Sequence, residues 1–263
     1  MFFDTHVHFE DRSDEHGIGP VVRRASDARV TAMLAVGGSP EGNAAAVAAS
    51  GMFPRNVRAA LGLDRHTAAD EAVSGVRAWD GFLSALDAHR AAGRVAAIGE
   101  TGLDYHYEPG TAERQKELFL RHLNLAADTG LPVIVHCREA EEDVYTLLSR
   151  FGGRVRGVVH SFTGSAEFAL RVTAVGFMIG FSGIVTFRNA DPLRRAAAVV
   201  PDGMLLIETD SPYLAPVPLR GRRNEPAFLP NIADTLAEVR GTTLERIADL
   251  TAKNAAGLFG FPG

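Results

Sequence analysis

Val95-Ala96-Ala97-Ile98-Gly99-Glu100 is a continuous apolar run that ends on a carboxylate, and the same pattern recurs along the chain. An apolar run without alternation is what a parallel strand buried on both faces requires. Working outward, comparable runs span Phe2 to His8, Thr31 to Val36, Val57 to Leu63 and Pro132 to His136. Three more span Val155 to His160, Phe177 to Phe181 and Met204 to Asp210. Segments of helical period separate them. Thr111 to Thr129 has Thr111 at its N-cap, apolar Leu118, Leu123, Leu125 and Ala126, and Gly130 as a stop. Arg138 to Ser149, Ala166 to Val175 and Pro192 to Val199 follow, and Leu229 to Phe259 reads as two helices broken near Gly241. Eight strands alternating with helices in 263 residues predict an α/β fold, a single-domain (β/α)8 TIM-like barrel over residues 1–263. A doubly wound open sheet is the structural alternative. No linker, repeat or low-complexity stretch divides the chain.

Apolar residues at 46% and charged residues at 22% are ordinary for a globular domain. Against 27 basic residues stand 32 acidic ones, a net charge of -5, which argues against a broad basic surface for nucleic acid. It leaves room for a local basic cluster over an acidic pocket. Only Lys116 and Lys253 among the basic residues are lysine, a bias that genome composition accounts for. The lone cysteine, Cys137, excludes an internal disulfide and fits a reducing compartment. No apolar run approaches a membrane span, and MFFDTHVHFE lacks the features of a signal peptide. The expectation is a cytoplasmic protein with no membrane association and no obligate protein partner.

In a (β/α)8 barrel, chemistry sits at the C-terminal ends of the strands. The first run ends in Asp4-Thr5-His6-Val7-His8, where alternation puts His6 and His8 on one face. The fourth ends at Glu100, the fifth at His136, the sixth at His160, and the eighth in Glu208-Thr209-Asp210. Each polar residue singly reads as a satisfied group at a strand end. Jointly, four histidines and two carboxylates converging on one mouth form a ligand set for two divalent cations. Glu100, central in strand order, is expected to bridge. His6, His8 and Asp210 would complete one site, and His136 and His160 the other. Such ligation suits zinc, manganese or iron, and magnesium less well. Asp210 would also accept a proton from the attacking water and return it to the leaving group.

Cys137 alternates with His136 and reads as a buried thiol facing the helices. His16, His66, His89, His106 and His122 show no convergence. His89 and His122, in helical segments, are expected at the surface, whereas His66 and His106 lie in loops that follow strands. Neither lysine ends a strand, so a carboxylated-lysine metal bridge is excluded. After the eighth strand, Ser211 to Pro226 forms a proline-rich loop carrying Arg220, Arg222 and Arg223. Arginines there, with Arg138 past His136, are candidates for phosphate clamps, and Tyr105 for stacking on a base or sugar.

With these residues in view, the chain resembles the TatD family of metal-dependent deoxyribonucleases. The resemblance rests on Asp4 to His8, Gly99-Glu100-Thr101-Gly102-Leu103-Asp104-Tyr105, His136-Cys137-Arg138 and His160-Ser161-Phe162-Thr163-Gly164. It extends through Gly183 to Phe187, the run Glu208 to Leu214, and Arg220 to Pro226. The resemblance implies a TIM-like barrel, hydrolysis of phosphodiesters from the 3′ end of single-stranded nucleic acid, and metal roles for His6, His8, Glu100, His136, His160 and Asp210. Arg138, Tyr105, Arg220, Arg223 and Asn224 are the expected substrate contacts. One departure stands out. The family usually carries Gly-x-His-Pro-His after the third strand, whereas this chain has Gly62-Leu63-Asp64-Arg65-His66. That change keeps open a second reading, hydrolysis of another ester or amide such as an aminoacyl-tRNA ester. A non-catalytic binding protein would be expected to lack ligands, and none of the six is missing.

Overall fold

The computed structural model describes residues 1–9, 17–69, 76–107 and 111–261. Eight strands form one parallel sheet in sequential order: β1 (Phe2–Val7), β2 (Val30–Gly38), β3 (Val57–Leu63), β4 (Val95–Asp104), β5 (Val133–Arg138), β6 (Gly157–Val159), β7 (Phe177–Phe181) and β8 (Leu205–Ile207). Around them lie α1 (Ile18–Asp27), α2 (Pro40–Met52), α3 (Arg65–Ala69), α4 (Val76–Ala91) and α5 (Ala112–Thr129). The second half contributes α6 (Glu141–Ser149), α7 (Ala166–Ala174), α8 (Asp191–Val199), α9 (Leu229–Arg240) and α10 (Leu244–Phe259). The sheet nearly closes on itself. Val7 bridges Ser211 in parallel, Asp210 N donates to His6 O at 3.0 Å, and His8 N donates to Ser211 O at 2.8 Å.

One apolar cluster draws on nearly every strand: Phe3, Leu34, Ala60, Ala96, Ile134, Val158 and Leu206, with Phe259 and Phe261 from the C-terminal segment. Side chains from strands that far apart in the sheet meet only inside a closed barrel, and the aromatic pair plugs its floor. A larger cluster fills the space between the outer strand faces and the helices. Both layers are apolar, which is why the strands read as unbroken hydrophobic runs.

Several boundaries differ from the sequence expectation. β4 does not stop at Glu100; it continues to Asp104, because Thr101 to Asp104 pair residue by residue with Val135 to Arg138 of β5. That pairing also keeps Arg138 in the strand, so α6 starts at Glu141. β8 ends at Ile207, and Asp210 takes a left-handed backbone (φ 55°) that turns the chain out of the sheet. Thr111 occupies the N-cap of α5 without a side-chain capping bond, and Gly130 and Gly241 terminate α5 and α9 in the left-handed conformation. His89 is half-buried rather than at the surface. His122 is a clear correction, being fully buried. Its Nε2 accepts from Leu63 N at 3.1 Å, and Nδ1 lies 2.8 Å from Leu118 O and 3.2 Å from Thr101 Oγ1. Leu63 and Thr101 belong to β3 and β4, outside the helical pattern that points to a surface position. His16 lies outside the described residues.

Candidate metal centre

Strand alternation builds the site. Along β5, and just past the ends of β6 and β8, the inward positions step from Ile134, Val158 and Leu206 to His136, His160 and Glu208, so the apolar interior turns polar at its C-terminal mouth. β1 reaches the same mouth through a register irregularity between Asp4 and Val7 that delivers both His6 and His8. Close approach at the neighbouring strands demands small residues. A side chain on Gly102, at φ 141°, would run into the His136 carbonyl, and one on Gly180 would run into the Glu208 carboxylate.

Glu100 stands at the centre with its two oxygens facing different groups. Oε2 lies 3.5 Å from His6 Nε2 and 4.0 Å from His8 Nε2. Asp210 Oδ1 joins that side, 3.5 Å from His8 Nε2 and 3.9 Å from His6 Nε2. Oε1 lies 2.8 Å from His136 Nδ1 and 3.2 Å from His160 Nε2, and those two nitrogens are 3.2 Å apart. Tetrahedral ligands on bonds of about 2.0 Å sit about 3.3 Å apart, so the second trio already has the spacing of a metal site. His6, His8 and Glu100 form one potential ligand group, and Glu100, His136 and His160 another.

Outer partners orient the imidazoles. His8 Nδ1 lies 3.1 Å from Val36 O, and His136 Nε2 lies 3.0 Å from Asp104 Oδ2. Both contacts call for a proton on the outer nitrogen, which turns the lone pair of the other into the mouth. His160 Nδ1 faces Glu208 Oε1 at 3.5 Å, and Glu208 is itself held by Ser161 N at 2.5 Å and Thr5 Oγ1 at 3.2 Å. Asp4 accepts from Thr209 N at 2.8 Å and Thr209 Oγ1 at 2.6 Å, tying β1 to the segment after β8; burial pushes its carboxyl up to about 8.

The electrostatics suit cations. Burial alone would raise Glu100, but the charge of His160 and the close approach of the His136, His160 and His6 nitrogens hold it well below the usual carboxylate range. Burial is likewise overridden at Asp210 by His8, His6 and His160, and its carboxyl is lowered. His6 is lowered by burial and by His160 beside it. Burial would also lower His160, yet Glu100 and Glu208 raise it. The His6 and His160 rings stack at 4.0 Å, a separation at which two imidazolium ions repel. Among the described residues neither Nδ1 atom, both of them buried, has a hydrogen-bond partner. Imidazoles crowded around ionised carboxylates form a donor set that fits divalent ions, which would take the place of the protons on the inward ring nitrogens.

A cavity of about 420 Å³ opens over this cluster, with Arg65, Tyr107, Arg138, Asp210 and Tyr213 in its wall. Arg138 reaches it, its guanidinium 4.8 Å from the Tyr107 ring centroid. Tyr105 does not line it, and its hydroxyl donates to Asp143 Oδ2 at 2.6 Å. Arg220 packs 3.9 Å over Phe187 and donates to Ala215 O at 3.0 Å, and Arg223 is half-buried in the same loop. Asn224 is fully buried, its amide donating to Thr209 O at 2.8 Å and Tyr213 O at 2.5 Å, so it holds the loop in shape. Cys137 is buried beside the cavity, where burial pushes its thiol up, away from nucleophilic use. His66 and His106 are exposed. Arg65, Asp104 and Glu208 were not among the expected site residues. Arg65 was visible only as the departure after β3, and Asp104 and Glu208 only as polar neighbours of the ligands.

A family model described as TatD related DNase matches residues 3–260. The uncharacterized metal-dependent hydrolase YabD of Bacillus subtilis is 38% identical over 260 residues, covering 98% of this chain and 99% of that protein. The 3′-5′ ssDNA/RNA exonuclease TatD of Pectobacterium parmentieri is 34% identical over 264 residues, 98% of each protein. Among solved structures, the TatD homologue YJJV of Escherichia coli K12 superposes with a TM-score of 0.85 at 31% identity, covering 99% of this chain and 98% of that one.

Proposed function

The chain belongs to the TatD family of metal-dependent hydrolases, and from that premise we propose that it removes nucleotides from the 3′ end of single-stranded DNA or RNA. The observation that carries the reading is the two-sided placement of Glu100, one oxygen toward His6 and His8 and the other toward His136 and His160. His6, His8, Glu100 and Asp210 would hold one divalent ion, and Glu100, His136 and His160 a second. Such a pair supplies Lewis acidity to a phosphoryl oxygen and makes water a nucleophile at neutral pH. The chain's own residues do the rest. Asp210, held ionised by His8 and His6, takes the proton of the attacking water and returns it to the leaving oxygen. Asp104 fixes His136, and Glu208 backs His160. Arg138 provides a cation for substrate phosphate, and Tyr213, exposed on the cavity wall, an aromatic face for a terminal base. Lys116 pairs with Asp143 at 2.8 Å on α5 and Lys253 lies on α10, so no lysine is placed to bridge metals.

The test is end-labelled single-stranded DNA with metal-loaded protein, beside Asp210→Ala and chelator controls. Stepwise shortening from the 3′ end, lost in both controls, is the expected result. Intact DNA with manganese, magnesium and zinc, at full metal occupancy, overturns the nuclease reading. The Asp64-Arg65 pair favours one second reading, hydrolysis of a different ester such as an aminoacyl-tRNA ester, which the same protein would then cleave while sparing the oligonucleotide.

A further inference from the structure

Asp64 and Arg65, the residues that set this chain apart after β3, have separable jobs. Asp64 Oδ1 accepts from His66 N at 3.0 Å and Thr67 N at 3.1 Å, which caps the short helix α3. Arg65, first in α3, sends its side chain into the metal cluster, where it is 18% exposed. Nη1 lies 3.4 Å from Glu100 Oε1 and 3.5 Å from His136 Nδ1. Those are two of the three ligand atoms on the Oε1 side. The Nε atom faces Asp104 Oδ2 at 3.2 Å, the same oxygen that orients His136.

We propose that Arg65 is a tethered cation that competes with the divalent ion for the Oε1 side of Glu100, so that the two metal positions fill unequally. The proposal rests on the two-metal reading above. The guanidinium donates to the carboxylate oxygen and the imidazole lone pair that an ion on this side must take. A guanidinium and a divalent ion sharing those partners would repel each other in a buried site. Across the carboxylate, Oε2 faces His6, His8 and a second carboxylate, Asp210, so that side is the more anionic and fills first. Arg65 is displaceable. Its contacts at 3.4 and 3.5 Å are long for hydrogen bonds, and its Nε meets Asp104 Oδ2 at 3.2 Å as an ion pair without hydrogen-bond geometry. It also lines the cavity, so a guanidinium driven off Glu100 moves toward the space an anionic substrate would occupy. An anion that captures it there must tighten metal binding on the Oε1 side, since coupling between two sites is reciprocal.

The test is calorimetric titration of manganese or zinc into chelator-stripped full-length protein without substrate. Wild type should bind in two phases separated by at least tenfold. His136→Ala should abolish the weaker phase and His8→Ala the tighter one. Arg65→Ala should tighten the weaker phase tenfold or more and leave the tighter one in place. Arg65→Gln, which keeps most of the volume without the charge, should do the same and guards against a misfolded alanine variant. Inorganic phosphate should tighten the weaker phase in wild type more than in Arg65→Gln. Two equal phases in wild type, a weaker phase unmoved in both Arg65 variants, or loss of the tighter phase in His136→Ala overturns the proposal. A single bound ion in wild type and in both Arg65 variants overturns the two-metal reading instead. Two unequal ions in a protein that spares nucleic acid would leave the proposal standing and remove the nuclease activity.

Discussion

His122 and His160 are almost equally withdrawn from water, at 0% and 4% exposure, and each has two ring nitrogens to account for. His122 spends both on the protein. Leu63 N donates to Nε2, which leaves the proton on Nδ1 for Leu118 O. His160 backs one nitrogen against Glu208 and turns the other to Glu100 and His136. Burial therefore does not separate a candidate metal ligand from a structural histidine. What separates them is where the lone pair points: at a backbone N–H in the first case, and into a space shared with three other imidazoles and two carboxylates in the second.

The sharpest way to break this contrast is to remove the anion at its centre. Glu100→Gln takes charge from both ligand groups at once, so both metal phases should weaken and hydrolysis should fall on the order of 10²- to 10³-fold. His122→Gln, whose amide can still accept from Leu63 N, should leave metal binding and turnover near wild type. Titration calorimetry and initial rates read both. If Glu100→Gln still holds two ions tightly, the mouth is not organised around that carboxylate.

A smaller effect separates the two histidines by pH. Burial lowers His122 to about 4, only partly opposed by the Leu118 carbonyl and reinforced by Arg121. The unfolded chain, with an ordinary histidine, binds the proton first as pH falls. The contribution of neutral His122 is therefore fully present above about pH 6.5 and lost progressively down to about pH 4, reaching about 2 kcal/mol by pH 5. Urea melts at pH 7.5 and 5 should show this loss in wild type beyond that in His122→Gln. Equal losses in the two proteins would mean that His122 already accepts a proton in the fold.

These roles were unequally legible in the sequence. The barrel could be read because its strands are buried on both faces, and the six ligand candidates because each ends such a run. The ends of those runs were harder. Glu100 to Asp104 looks like a polar loop, yet it stays in the strand because β5 offers it a paired edge. The outer partners share that obscurity: Asp104 is 32 residues from His136 and Glu208 is 48 from His160, and only the side-by-side placement of β4 with β5, and of β6 and β8 about β7, brings them together. Asn224 was read as a substrate contact from its place in an arginine-rich loop, and its buried amide shows why position in a loop does not identify what a side chain touches. His122 failed for the same reason, since its partners Leu63 and Thr101 belong to β3 and β4.

The finest test of the contrast leaves every ligand in place. Asp104→Asn keeps an acceptor for His136 Nε2 and removes only the negative charge behind the imidazole. Loss of that charge makes the ring a poorer donor and frees it to turn. Asp104 is also held low, to about 2: burial would raise it, but His136, the Tyr107 backbone N–H and Arg65 outweigh that, so it is charged throughout the working range. The weaker metal phase should therefore loosen by about tenfold, the low end for an outer partner, while the tighter phase stays unmoved. The same substitution frees Arg65 Nε from its carboxylate partner, which lets the guanidinium shift further toward Glu100 and deepens the loss. Asp104→Asn combined with Arg65→Gln separates the two causes. If the double variant binds as tightly as Arg65→Gln alone, the charge of Asp104 acts mainly by holding Arg65 back; if it stays about tenfold weaker than Arg65→Gln, it acts through the imidazole.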